Sequence, residues 1–103
     1  MYLVCLTKLD SLSIKTTGLS DISLVFEMNS LRFLDLSKNN GINTIVGIEN
    51  IEYLEELNIS GTSIYDLSPL FLCDNLKIVH VSDYQLTSEM YENLSKQFTI
   101  IVV

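Results

Sequence analysis

One short pattern recurs along the chain at a nearly constant spacing, and it limits the possible folds more than any other feature of the sequence. Each copy reads apolar-x-x-apolar-x-apolar, where x is any residue. The copies begin at residues 9, 31, 54, 76 and 98, so successive copies are 22, 23, 22 and 22 residues apart. Apolar residues that alternate with other residues are typical of a strand with one buried face. We therefore expect strand cores near 9–14, 31–36, 54–59, 76–81 and 98–103.

The segments between the copies differ in their apolar spacing. In the first three segments the apolar residues fall at every third position, as in Ile45, Ile48 and Ile51, which predicts 3₁₀-helices or irregular turns. In the last segment Met90, Leu94 and Phe98 are four residues apart, as on one face of an α-helix. We expect one α-helix near 88–96, before the last strand. Ser88 is the expected N-cap, with Glu89 close to the positive end of the helix dipole.

The continuation of each copy points to a known family. Three residues after the last apolar position comes Thr17, Asn39, Thr62 or Tyr84, and another apolar residue follows each of them. The whole pattern resembles the short leucine-rich repeats of bacterial internalins and of phosphatase-regulatory solenoids, and residues 66–70 (DLSPL) are similar to the segment between their strands. The resemblance covers nearly the whole chain.

The resemblance implies a fold as well as a class of function. The implied fold is an α/β solenoid, the curved leucine-rich-repeat horseshoe, with about 4.5 repeats. The parallel β-sheet would line its concave face, and 3₁₀ or irregular turns its convex face. In this family an Asn after each strand hydrogen-bonds backbone groups of neighbouring loops. Here only Asn39 keeps the Asn, Thr17 and Thr62 could substitute in part through their hydroxyls, and Tyr84 departs from the pattern.

Length and charge limit the number of domains and the kinds of partner that this chain could have. With 103 residues the chain is expected to form a single leucine-rich-repeat domain, 1–103. Its net charge of −7 would repel phosphate backbones and anionic lipids, so we expect neither nucleic acid nor a membrane as a partner. No apolar run reaches the roughly 20 residues that span a bilayer. Because the first residues also lack the basic start of a signal peptide, we expect a cytoplasmic protein.

The residues that usually carry chemistry are sparse. Cys5 and Cys73 lie far apart and have no second Cys or His at metal-ligand spacing, which favours reduced, structural thiols and no metal or cofactor. His80 is the only histidine. It could act as a general base beside Asp35 or Asp83, but no nucleophile is placed to use it. We therefore predict that the chain is not an enzyme.

The candidate binding residues are those that would point away from the core of stacked strands. They form two predicted rows, Ser11, Phe33, Glu56, Ile78, Ile100 and Ser13, Asp35, Asn58, His80, Val102. Four of these residues are apolar where a solvated sheet would be polar, which is typical of protein interfaces. Alternatively, Phe33 and Ile78 only favour a β-surface by their shape, and the chain end covers Ile100 and Val102. The predicted protein-binding residues on the concave face are Phe33, Asp35, Glu56, Asn58, Ile78, His80, Ile100 and Val102.

These features predict a non-enzymatic protein–protein interaction module that binds a protein partner through its concave face. The last strand has no charge or Pro to protect its edge, so a homodimer through this terminal strand edge is also expected. The alternative is a structural segment of a larger leucine-rich-repeat surface protein or adhesin, in which further repeats would cover the ends. The identity of the partner does not follow from the pattern, because one fold serves many functions.

Overall fold

The computed structural model describes residues 10–14, 25–28 and 30–103. In this part of the chain five strands and one α-helix, α1 (Ser88–Ser95), are present. The strands are β1 (Ser11–Ser13), β2 (Phe33–Asp35), β3 (Glu56–Asn58), β4 (Ile78–Val81) and β5 (Thr99–Val102). They form one parallel sheet in the order β1-β2-β3-β4-β5, so neighbours in the sheet are also neighbours in the sequence. The predicted parallel sheet, with one α-helix before its last strand, is therefore confirmed.

The connections between the strands contain short 3₁₀-helices, which the three-residue apolar spacing predicts for the first three connections. These helices span Val25–Glu27, Ile48–Asn50, Ser68–Leu72 and Asp83–Gln85. In the third of them, Pro69 occupies one of the first two positions, where its fixed φ favours a helical turn and its missing N–H costs nothing.

The apolar positions of the repeated pattern form one continuous core between the sheet and the turns. Leu34, Leu57 and Val79, the central residues of three adjacent strands, are at most 2% exposed. The same cluster extends from Val25 to Phe98. β2, β3 and β4 therefore bury their core-facing sides against residues from the turn segments.

The buried side chain of Asn39 links two successive repeat units. Its Nδ2 donates hydrogen bonds to the carbonyl oxygens of Ile14, Leu36 and Ser37 at 2.8, 3.0 and 3.1 Å. Ile14 belongs to the preceding unit, so this amide satisfies carbonyls of two turns at once. The corresponding Thr17 lies outside the described residues.

In the fourth unit a buried glutamine, not an asparagine, links the turn to the preceding unit. Tyr84, at the equivalent sequence position, is half exposed, and its hydroxyl donates to the carbonyl of Thr62 at 2.7 Å. The next residue, Gln85, is buried instead. Its Nε2 donates to Thr62 Oγ1 at 3.0 Å and to the carbonyl of Ile64 at 2.9 Å. Gln85 therefore reaches back to the third unit, as Asn39 does to the first.

Helix α1 matches the predicted helix closely but begins at a different cap. Thr87 is the N-cap, and its side-chain oxygen accepts a hydrogen bond from the Met90 N–H at 3.1 Å. Ser88, the residue expected to cap, is already the first helical residue. Leu94 is fully buried and anchors the helix to the core.

The register of the last strand differs from the prediction by one residue. Ile78 pairs with Thr99 and His80 pairs with Ile101, whereas the predicted rows continued to Ile100 and Val102. Ile100 instead pairs with the buried Val79 and packs partly against the core. Val102 pairs with the buried Val81 and is therefore also on the core-facing side of the sheet, although it is 48% exposed.

The cause of this shift lies at the end of α1. The Phe98 N–H donates to the carbonyl of Leu94 at 2.8 Å, so Phe98 is held against the end of the helix although α1 ends at Ser95. Its side chain is buried, and β5 begins at the very next residue. In the preceding unit, one residue, Lys77, separates the buried Leu76 from the start of β4. The helix thus shortens the approach to β5 by one residue.

Candidate protein-binding site

The strand residues that point away from the core define what we call the open face of the sheet. Each strand contributes two of them, one on either side of a core-facing residue. Phe33 is 45% exposed and Ile101 is 40% exposed on this face. The open face consists of Ser11, Ser13, Phe33, Asp35, Glu56, Asn58, Ile78, His80, Thr99 and Ile101.

A shallow depression of about 310 Å³ lies on the open face. Its border includes Phe33, Asp35, Glu56, Asn58 and His80. The structure therefore brings together five of the eight residues predicted as a binding site. Ile78 lies on the same face, outside the border of the depression, and Ile100 and Val102 do not belong to this face.

Two polar side chains of the open face are held by the loops that follow their strands. Asp35 Oδ1 accepts a hydrogen bond from the Ser37 N–H at 2.9 Å. Asn58 Oδ1 accepts from both the N–H and the hydroxyl of Ser60, at 3.0 and 2.7 Å. Since these bonds fix the side-chain orientations, the polar groups around the depression are ordered before any partner arrives.

His80 is paired with a carboxylate across the sheet. Its Nε2 lies 2.8 Å from Oε2 of Glu56, and both side chains are partly buried. The sequence suggested Asp35 or Asp83 as its acidic neighbour, but the contact is with the residue diagonally opposite on β3. The pairing of Asn58 with His80 places Glu56 within reach, because diagonal neighbours in a sheet lie close enough for long side chains to meet.

Charges of alternating sign flank the open face at the residues just before the strands. Glu55 lies between two cations, with Oε2 3.8 Å from Arg32 Nε and Oε1 3.6 Å from Lys77 Nζ. The cationic groups are largely exposed, so each pair contributes little to stability. The open face itself contains two carboxylates, one imidazole and no lysine or arginine.

The thiol of Cys73 is free and buried beneath the third turn. Burial raises its pKa from 9.0 to about 11, and the charges of Glu49 and Asp74 add to the effect. A thiol with such a pKa remains protonated near neutral pH and is a poor nucleophile. Cys5 lies outside the described residues.

Two kinds of feature are absent from the described ranges, a metal-binding cluster and a membrane-spanning helix. No group of three or more His, Cys, Asp or Glu side chains there is arranged to hold a metal ion. No helix among the same residues has the length and the apolar character needed to cross a membrane.

Similarity to known proteins does not assign this chain to a family: no protein-family model matches it, and neither does any curated protein. Its candidate site rests on geometry alone. Sequence reasoning missed two open-face residues, Thr99 and Ile101, because the apolar run from Ile100 to Val103 fits either register. The only available signal was the helix directly before β5.

Proposed function

We propose that this chain is a non-catalytic protein-interaction module of the leucine-rich-repeat type, whose open face binds an extended segment of a partner protein. In this proposal the sheet is the concave side of a curved solenoid. Three observations support it: the sequence-ordered parallel sheet, the core built from the repeated apolar pattern, and the buried Asn39 that links two units. The depression on the open face agrees with a concave surface.

The observation that carries the proposal is the composition of the open face. Phe33 exposes 45% of its surface beside Asp35 and Glu56, at the border of one depression. Exposed aromatic residues surrounded by polar groups are the usual anchors of protein interfaces, because they bury a large area at a small entropic cost. The ordered polar side chains around Phe33 could then select among partners by charge.

The charges on this face indicate the chemistry of the partner. Asp35 and Glu56 are its two carboxylates, and no lysine or arginine of the open face neutralises them. The nearby cations Arg32 and Lys77 are both engaged by Glu55. A partner segment that presents a Lys or Arg next to a large apolar side chain is complementary to this arrangement, whereas an acidic segment would be repelled.

The proposal includes a cytoplasmic location. It is supported by Cys73, a free thiol buried in the core, since unpaired thiols are common where the surroundings are reducing. No catalytic step is included, because the Cys73 thiol is buried and its raised pKa keeps it protonated near neutral pH.

A peptide-binding measurement tests the proposal. Two dye-labelled ten-residue peptides serve as probes, one alternating Lys with Leu and the other alternating Glu with Leu. We expect fluorescence anisotropy to detect binding of the Lys/Leu peptide only. Phe33→Ser should weaken this binding about tenfold or more, the usual effect of truncating an interface anchor.

Val46→Ser is the matched control for that variant. Val46 is 69% exposed and lies outside the open face, so its replacement should leave the affinity unchanged. If both variants weakened binding equally, or if both peptides bound alike, an open-face site for cationic segments would be wrong.

A second candidate is a structural segment of a larger leucine-rich-repeat surface protein or adhesin. The apolar exposure of β5 favours it, because Ile101 and Val102 could pack against a further repeat. In that case the isolated chain should aggregate or unfold in part. A monodisperse, folded chain in light scattering and circular dichroism would instead favour the interaction module.

A further inference from the structure

The outer edge of β5 presents unpaired backbone groups in a defined pattern. On its inner side, the N–H groups of Thr99 and Val103 donate to the carbonyls of Lys77 and Val81 at 2.7 and 2.8 Å. Successive peptide groups of a strand point in opposite directions, so the N–H and C=O groups of Ile100 and Val102 point away from β4. No described residue pairs with this side of β5. Four backbone hydrogen-bonding groups are therefore available at the edge.

The side chains of this edge do nothing to prevent strand pairing. Residues 97–103 contain no charge and no Pro, which are the usual devices that protect an edge strand. Ile101 and Val102 are 40% and 48% exposed, on opposite faces of the sheet. At the other edge of the sheet, β1 carries Ser11 and Ser13 and is preceded by Asp10. Of the two edges of the sheet that the described strands form, the apolar, uncharged one is thus that of β5.

The charge of the molecule makes this edge the favoured meeting point of two copies. Each copy carries a net charge of −7, so two copies repel each other over most of their surfaces. Residues 97–103 themselves bring no acidic side chain to the contact. Contact through them also allows the same edge of both copies to meet about a two-fold axis, the commonest symmetry of homo-oligomers.

We propose that two copies of this chain pair through the outer edges of their β5 strands, antiparallel and centred on Ile101. Ile101 then faces Ile101 of the second copy in a non-hydrogen-bonded pair. Ile100 faces Val102 of the second copy, and these two residues exchange both backbone hydrogen bonds. Val102 pairs in the same way with Ile100 of the second copy. The N–H and C=O groups of Ile100 and Val102 are therefore hydrogen-bonded in both copies. Apolar side chains oppose one another at all three central positions.

The dimer formed in this way is a weak one. The contact involves one short strand from each copy, far less than the roughly 1,200 Å² that most stable complexes bury. Partner exchange should therefore be fast, and the dimer should be visible only at high protein concentration. Salt should strengthen it, because ions screen the repulsion between the two acidic copies.

Disulfide trapping tests the proposed register. Ile101→Cys is introduced together with Cys5→Ser, so that Cys73, whose raised pKa keeps its thiol protonated, is the only other cysteine. Directly opposed residues of a non-hydrogen-bonded pair have Cα atoms about 4.5 Å apart, which permits a disulfide. We expect a covalent dimer on a non-reducing gel and by intact mass in a glutathione redox buffer.

Thr99→Cys, in the same background, is the matched control on the same strand and the same face. In the proposed register Thr99 lies opposite Val103, so the two Thr99 positions are about 14 Å apart along the strands. This variant should remain monomeric. Equal trapping of both variants, or trapping of neither, would overturn the proposal, with circular dichroism to confirm that each variant is folded.

Light scattering of non-cysteine variants separates edge pairing from contact between open faces. We expect the mass of the unmodified chain to rise above 11.7 kDa with increasing concentration. Ile101→Lys should abolish this rise, and Ile78→Lys on β4 should not. If the rise were absent in the unmodified chain, or if Ile78→Lys abolished it, the pairing of β5 edges would be refuted.

Discussion

Among single residues, Asn39 and Gln85 show how buried amides organise the turns of this protein. Asn39 is fully buried, and its Nδ2 serves three carbonyl oxygens from two repeat units. Gln85 links the fourth unit to the third, because its Nε2 donates to Thr62 Oγ1 and to the carbonyl oxygen of Ile64. Because buried carbonyls without a partner are costly, these amides allow tight turns to pack inside an apolar molecule.

Replacing Asn39 should reveal this contribution directly. Asn39→Leu keeps a similar volume but leaves its carbonyl partners without that donor, so we expect the free energy of unfolding to fall by about 2–3 kcal/mol. Urea denaturation followed by circular dichroism measures the change. Asn40→Leu, at the exposed neighbouring position, should change stability by less than about 0.5 kcal/mol. Equal effects of the two substitutions would contradict the assigned hydrogen bonds.

Of these two amides, the sequence identified only Asn39. The position three residues after the last apolar residue holds Asn39 in the second copy of the pattern and Tyr84 in the fourth copy. Gln85 is one residue later, and its longer side chain reaches the equivalent place. Nothing in the spacing of apolar residues distinguishes a buried Gln from an exposed one. That Gln85, and not Tyr84, is the buried residue at this turn is therefore visible only in the structure.

Among the secondary-structure elements, α1 determines how the sheet ends. Phe98, just beyond the end of α1, still bonds through its N–H to the carbonyl of Leu94, and this sets the register of β5. The sequence predicted the strand but not its register, because Ile100, Ile101, Val102 and Val103 are all apolar. In each of the other strands a polar residue directly follows the core-facing one, and there the predicted open-face residues from Ser11 to His80 agree with the observed pairing.

The N-terminus of α1 offers a test of the observed helix boundary. Thr87→Ala removes the side-chain oxygen that accepts from Met90, so it should cost about 1 kcal/mol of stability. Ser88→Ala affects an exposed first-turn residue and should cost less than about 0.5 kcal/mol. Thermal denaturation of both variants provides the comparison, and a larger effect at Ser88 would place the cap where the sequence alone suggested.

At the scale of the whole molecule, one core cluster connects four turn segments with the sheet. Leu57, in the central strand β3, has no exposed surface and belongs to this cluster. Since residues from Val25 to Phe98 share the same core, loss of packing in the centre should affect all of them. Partial unfolding of one edge should therefore not be visible at equilibrium.

Leu57→Ala should lower the free energy of unfolding by about 2–4 kcal/mol through the cavity that it leaves. Far-ultraviolet circular dichroism and tyrosine fluorescence should report the same transition midpoint in urea. Leu72→Ala is the control, because Leu72 is 62% exposed and its truncation removes little buried surface. Separate midpoints for the two signals would show that the ends of the sheet unfold independently of its centre.

The order of the strands also has a consequence for synthesis on the ribosome. Each observed strand pair joins segments about one repeat apart in the sequence, and no strand waits for a partner made much later. The growing chain can therefore add strands to the sheet one after another as they emerge, each on the edge left by the one before. Until translation reaches the next strand, the outer edge of the newest strand is a transient template for pairing with other chains.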